Sequence, residues 1–236
     1  MTTAVIPSPK TKQARARQLP PLHNGDHLTR AEFERRYAAQ PHVKHAELIE
    51  GVVYMPSPVS IQHGKTHANI MVWLGLYRSQ TSGLHVADNV TIRLDLENEV
   101  QPDAVLYIDQ KLGGQVQIED DFLAGPPELV VEVAASSAAY DLHEKLRVYR
   151  RSGVQEYLVL LAYEQETRWF QLVEGEYQLF APDENGRLRS QRFPGLHFQP
   201  DLFWNDDLAG LLQVLQEGLA TPEHQAFVAE LAKQAA

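Results

Sequence analysis

A lone glutamate, Glu132, interrupts the apolar run Leu129–Ala135 (LVVEVAA). An ionised carboxylate inside such a strand is costly to bury unless it is paired or binds a cation. It is either an edge residue reaching solvent or a ligand at the floor of a cleft. Asp103 stands in Gln101-Pro102-Asp103-Ala104-Val105-Leu106, at the start of a strand whose approach is fixed by proline. Alone, a Pro-Asp pair is as common in turns. Lys145 is the third residue of interest. On a helix projected at 100° per residue, Leu142, Leu146 and Tyr149 define an apolar stripe, and Lys145 falls at its edge. A lysine there meets an anion or extends its stem outward. Asp141, one turn earlier, would make it an ordinary helix ion pair. Together, two strand-borne acids and a lysine suggest metal-dependent phosphodiester cleavage. Mg²⁺ takes only one or two protein carboxylates and keeps several waters. The cation activates a water and neutralises the phosphate, and a lysine stabilises the transition state.

These residues need elements to position them. Thr29 with Glu32 three residues on predicts a capping box and a helix to about Ala39. Glu47–Met55 (ELIEGVVYM) reads as a strand broken at Gly51 by a turn or bulge. Ile70, Trp73, Leu74 and Tyr77 predict a helix over 60–79. Val86–Leu96 and Val100–Ile108 read as two strands. Leu129–Ala135 and Tyr157–Tyr163 are apolar enough to be buried on both faces. The helix between them, about Ser137 to Arg151 with a stop at Gly153, suggests a crossover joining parallel neighbours. Thr167–Phe180 predicts a hairpin turning at Glu174-Gly175-Glu176, and two amphipathic helices close the chain near Asp206–Gly218 and Pro222–Lys233.

The 236 residues suit one ordinary domain with extensions. There is no cysteine, which excludes a disulfide framework, a thiolate zinc site and a cysteine nucleophile, and fits a reducing cytoplasm. No apolar run approaches the roughly 20 residues of a membrane span, and Met1–Pro9 lacks the apolar core of a signal peptide. A cytoplasmic protein without membrane contact is therefore expected. Lys10, Lys12, Arg15 and Arg17 give residues 1–25 a charge of +4, which leaves −14 on the rest for a total of −10. An acidic body suits sequence-independent DNA binding poorly, so any DNA contact must be local. Arg147, Arg150 and Arg151 near Lys145 form the one candidate phosphate surface of the body, and the basic tail is expected to aid encounter.

The segments ELIEGVVYM (47–55), His63, QPDAVLY (101–107), PPELVVEV (126–133) and DLHEKLRVYRRSGVQEY (141–157) match in order and spacing a known family. The chain resembles, over about residues 27–200, the Uma-two family of predicted restriction endonucleases. The resemblance implies an α/β restriction-endonuclease-like fold of the PD-(D/E)XK nuclease superfamily: a central mixed β-sheet flanked by helices, here with added C-terminal helices. The expected organisation is a flexible basic tail (1–25), the nuclease-like domain (26–204) and a helical extension (205–236). The resemblance further implies Asp103 and Glu132 as metal-binding acids and Lys145 as the catalytic lysine. Glu47 would join the metal site, and His63, Asp141 and Tyr149 would support it. In that superfamily the lysine often lies two residues after the second acid. Here that place is Ala134, so the lysine has moved onto the following helix. Pro127-Glu128-Leu129 replaces the usual Pro-Asp-Leu, and Ala135-Ser136-Ser137 replaces Ser-Pro-Ser.

Rival constellations are weaker. His63 and His67 have zinc spacing, but Gly64 stands where a zincin pair requires glutamate. His42 and His45 flank a strand and read as surface residues. Leu112-Gly113-Gly114 is a loop without a phosphate motif, and no G-x-S-x-G elbow exists. The expected function is a Mg²⁺-dependent DNA endonuclease, with Mn²⁺ as a substitute ion. A non-catalytic binding or assembly module with the same fold is the alternative, and a metal phosphoesterase for small substrates a third. DNA is the expected partner, with a homodimer left open.

Overall fold

The computed structural model describes residues 19–56, 58–135 and 140–235. The four cations of the basic tail lie outside them, as does the expected start of a helix at Ser137. Thr29 caps helix α1 (Arg30–Ala38) by accepting the Glu32 N–H. The segment around Gly51 is a hairpin, β1 (Glu47–Ile49) and β2 (Val52–Tyr54). Its two turn residues, Glu50 and Gly51, both have positive φ, the geometry that matches the strand twist in a two-residue loop. Ser60 caps α2 (Ile61–Ser79) through the His63 N–H, which sets His63 in the first turn.

Both expected strands of the next segment divide. Val86–Leu96 yields β3 (Leu84–Asp88) and β4 (Ile92–Arg93), separated at Asn89 with φ 49°. Val100–Ile108 yields β5 (Glu99–Val100) and β6 (Ala104–Ile108), separated at Pro102, which has no N–H for a ladder. The breaks let one chain segment serve two sheets. A hairpin not foreseen follows, β7 (Gln117–Glu119) and β8 (Phe122–Ala124). Every β7 residue is exposed, so no burial alternation marked it. The buried strands are β9 (Leu129–Ala134) and β10 (Glu156–Leu161). Between them the helix opens with a π-turn, Asp141–Lys145, and continues as α3 (Leu146–Ser152), ending at Gly153 with φ 89°. The expected hairpin is β11 (Glu166–Val173) with β12 (Glu176–Leu179). A small ladder of β13 (Leu188–Arg189) and β14 (His197–Phe198) and the short α4 (Pro200–Trp204) precede α5 (Leu208–Leu219) and α6 (Pro222–Gln234).

The main sheet runs β12-β11-β10-β9-β6-β3, with β9 and β10 parallel and the other neighbours antiparallel. A second sheet runs β2-β1-β5-β4-β8-β7. Alternation along β9 separates two cores. Leu129, Val131 and Val133 face α2 (Ile70, Trp73, Leu74, Tyr77) and the terminal helices (Leu211, Leu215, Leu231). Val130 and Ala134 face α3 (Val148, Tyr149) and the second sheet (Ile49, Ile92, Val100). Glu132 shares the parity of Val130 and Ala134, so it points toward α3 and the second sheet. The terminal helices α5 and α6 thus complete the core beneath α2. Among the described residues no helix is long and apolar enough to cross a membrane.

A second buried acid ties the sheet to the β13–β14 segment. Glu156 accepts hydrogen bonds from the Ser190 hydroxyl at 2.8 Å and from the Gln191 and Arg192 N–H groups at 2.8 Å. Burial nonetheless pushes its carboxyl up to about 7. The folded state therefore holds a proton that the unfolded chain releases at ordinary carboxylate pH. Stability should fall as pH rises from about 4.5 to about 7 and then level off. In thermal melts across that range, Glu156→Gln should remove this contribution. Its melting temperature should gain on the wild type as pH rises, and a constant difference would contradict the assignment.

Candidate active site

The acids, the lysine and the supporting residues singled out from the sequence meet where the two sheets approach each other. Ala104 pairs with Val131 and Val105 with Val130 in the antiparallel β6–β9 ladder. One step further, the register sets Asp103 opposite Glu132 on the same face. Asp103 Oδ2 accepts the N–H of Val133 at 2.7 Å, which anchors its carboxylate beside Glu132. Glu47 arrives from β1, and its Oε1 accepts the Gln101 N–H at 2.8 Å. The hairpin at Gly51 and the kink at Pro102 are therefore both part of the positioning.

Lys145 lies at the centre. Its Nζ is 2.9 Å from Glu132 Oε1, 3.0 Å from Glu47 Oε1 and 3.7 Å from Asp141 Oδ1. Its side chain is 5% exposed, so the ammonium is inside the protein rather than at the edge of a helix stripe. The π-turn accounts for the difference, because its wider spiral breaks the 100° projection just before Lys145. Asp141 is the most distant of the three acids, so the simple helix pair is the weakest of the contacts. The Tyr149 hydroxyl donates to the same Glu132 oxygen at 2.9 Å. The Tyr157 hydroxyl donates to the Asp141 carbonyl at 3.0 Å, fixing the π-turn.

Two histidines of α2 hold Asp103 from the other side. His63 Nε2 is 3.1 Å from Asp103 Oδ1, and His67 Nε2 is 2.9 Å from the Asp103 carbonyl. Both contacts require the imidazole to donate. The hydrogen bond to Asp103 raises the pKa of His63 despite its burial. Burial alone would raise the Asp103 carboxyl, but His63, the Val133 N–H and Lys145 together hold it below the ordinary range. Glu132 moves the opposite way. Burial pushes it well up, Lys145 opposes, and Asp141, Asp103 and Glu47 add to the rise. Burial would deprotonate Lys145, but Glu132, Glu47 and Asp141 overcome it and keep the ammonium.

The arginines expected to contact nucleic acid do not join this cluster. Arg147 and Arg151 pair with Glu50 at 3.2 and 3.1 Å, and Arg150 pairs with Glu176. The three arginines share two acidic partners, Glu50 and Glu176. His45, expected at the surface, is half-buried instead. Its charged surroundings include Glu47, Lys145, Asp103 and His63, and burial lowers its pKa. Tyr140 was not foreseen at all. Its ring lies over Lys145, 5.7 Å from Nζ to centroid, and packs on Tyr54 at 4.3 Å. Glu128 is the structural acid of the region: it accepts the Ile108 and Gln115 N–H groups at 3.0 and 3.1 Å.

Among the described residues no three His or acid side chains are placed to form a ready metal cage. His63 and His67 are both spent on Asp103, which leaves no zinc pair. The oxygen donors do suit Mg²⁺, which binds through one or two carboxylates and keeps its waters. Glu132 and Glu47 each hold one oxygen against Lys145 and have a second oxygen outside that contact. Three acidic side chains lie within 3.7 Å of one ammonium and Asp103 adds its charge nearby, so the cluster favours a further cation.

The fold agrees with comparisons to known proteins. A solved structure, reported as "a putative nuclease belonging to DUF820" from Anabaena variabilis, superposes with a TM-score of 0.57 at 12% identity, over 72% of this chain and 96% of that one. That likeness establishes the fold. Among curated proteins no match is found. The family model for Uma2, described as "Putative restriction endonuclease", matches residues 30–209, from the first residue of α1 into α5. The match takes in Glu47, Asp103, Glu132 and Lys145, and the chain belongs to the Uma2 family.

Proposed function

We propose that the protein is a Mg²⁺-dependent endonuclease that hydrolyses phosphodiester bonds of DNA. The observation that carries this reading is the buried Lys145 ammonium between Glu47 and Glu132, beside an ionised Asp103. A fold needs no such cluster for stability, since apolar residues of similar volume serve as well or better. Asp103 and Glu132 would hold the ion, with Glu47 as a further ligand. When bound, Mg²⁺ supplies an activated water and neutralises charge on the phosphate. The acidic surroundings otherwise repel a phosphate, which is why the reading requires the ion. Val133 and His63 fix the Asp103 carboxylate in one orientation. Tyr149 does the same for Glu132. Lys145 offers its ammonium to the developing negative charge of the transition state, in a site from which most water is excluded.

Titration calorimetry with Mn²⁺ tests the ion site without relying on turnover. Asp103→Asn and Glu132→Gln should each weaken Mn²⁺ binding by more than the about 10- to 100-fold lost with an outer-shell partner. Wild-type affinity in both variants would reject the site and favour a non-catalytic module.

A further inference from the structure

Buried polar atoms normally have hydrogen-bond partners, and each exception calls for an explanation. Among the described residues, three exceptions border the acid–lysine cluster: His45 Nε2, His63 Nδ1 and Tyr140 Oη. His63 already spends its other nitrogen on Asp103. Tyr140 is the more telling case. Its ring packs on Tyr54 and lies near the Lys145 ammonium. Its hydroxyl is shielded from solvent, yet it bonds to none of the neighbouring carboxylates. A phenylalanine would keep both ring contacts and leave no orphan. The hydroxyl is therefore a cost to the fold with no return inside the free protein.

We propose that Tyr140 is a further catalytic residue, whose hydroxyl donates a hydrogen bond to a non-bridging oxygen of the scissile phosphate. The inference rests on the nuclease reading and adds a donor which that reading does not contain. A neutral donor suits the place. It adds attraction for a phosphate without competing with Mg²⁺ for Glu47 and Glu132, as a second ammonium would. Its ring lies 5.7 Å from the Lys145 Nζ, so the tyrosine borders the same cluster as the ammonium. Burial, followed by the charge of Glu47, keeps the phenol protonated far above neutral pH, so it acts as a donor throughout. Donors of this kind, fixed in advance where charge develops, lose little to reorganisation.

The test compares wild type with Tyr140→Phe in two measurements: thermal unfolding, and steady-state cleavage of a fluorescein-labelled DNA oligonucleotide in Mg²⁺. The expected result is opposed signs. The melting temperature should be unchanged or raised, because an orphan hydroxyl has gone. The turnover number should fall about 10²-fold, the scale of one lost oxyanion donor. An unaltered turnover in Tyr140→Phe would overturn the proposal and leave the nuclease reading standing. A fall in melting temperature would also overturn it, by showing that the hydroxyl serves the fold. A wild type that cleaves no DNA in Mg²⁺ or Mn²⁺ would remove the nuclease reading, and this proposal with it.

Discussion

Replacing Lys145 by methionine should lower DNA cleavage by about 10²-fold or more while leaving metal affinity intact or improved. The first effect is the loss of one electrostatic donor to the transition state. The second follows from the geometry. The ammonium occupies the space between Glu47 and Glu132, at 3.0 and 2.9 Å, so it competes with any ion for those oxygens. The same change should be costly to the metal-free fold. Breaking a buried ion pair leaves its carboxylates uncompensated, at about 3–5 kcal/mol. Methionine keeps most of the volume, so the loss reports charge rather than a cavity. Two conditions should restore stability. Added Mn²⁺ replaces the missing cation in the native state alone. Lower pH lets the stranded acids take up protons, so the deficit shrinks as pH falls. Melts of the variant in EDTA, in Mn²⁺ and at acid pH check all three statements. Wild-type stability and wild-type cleavage together would show that Lys145 belongs to neither the charge balance nor the chemistry.

Glu132 was legible because a charged residue in an otherwise apolar strand contradicts its surroundings, and the contradiction survives any choice of register. Asp103 was expected to act with Glu132, but the register that joins them could not be read. Its meeting with Glu132 depends on the antiparallel β6–β9 register, a long-range pairing that local pattern cannot supply. Lys145 was found by helical projection, which held only in part. The π-turn at Asp141–Lys145 moved it from the edge of the apolar stripe into the interior. Tyr140 and His45 carried no local signal. One directly precedes the π-turn and the other precedes a three-residue strand, so tertiary packing alone decides what they face. The arginines of α3 show partners that their spacing did not reveal. Their clustering in sequence suggested a phosphate surface, and in the fold they pair with Glu50 in the β1–β2 turn and Glu176 on β12. The second sheet was missed for a similar reason. Its strands are two or three residues long, too short for alternation to be read.

Asp103→Asn should reduce cleavage as severely as the loss of the lysine, with less effect on the fold. The amide oxygen can still accept the Val133 N–H, so that contact survives at 2.7 Å in the native geometry. What disappears is an acid held ionised below the ordinary carboxylate range. Without it, the proposed ion would lose a ligand and His63 would lose its counter-charge. A loss of about 10²- to 10³-fold is expected, the range seen when one preorganised electrostatic group is removed. A variant that melts like the wild type but no longer cuts separates chemistry from folding.

The central claim is that the Asp103–Glu132–Lys145 cluster hydrolyses DNA with a divalent ion. Its most direct test is incubation of supercoiled plasmid with the full chain in Mg²⁺, in Mn²⁺ and in EDTA, with Asp103→Asn alongside. The account predicts conversion to nicked or linear DNA by the wild type in either metal, none in EDTA, and none by Asp103→Asn at equal concentration. Plasmid left supercoiled by a folded wild type in both metals, or cut equally well by Asp103→Asn, would contradict it.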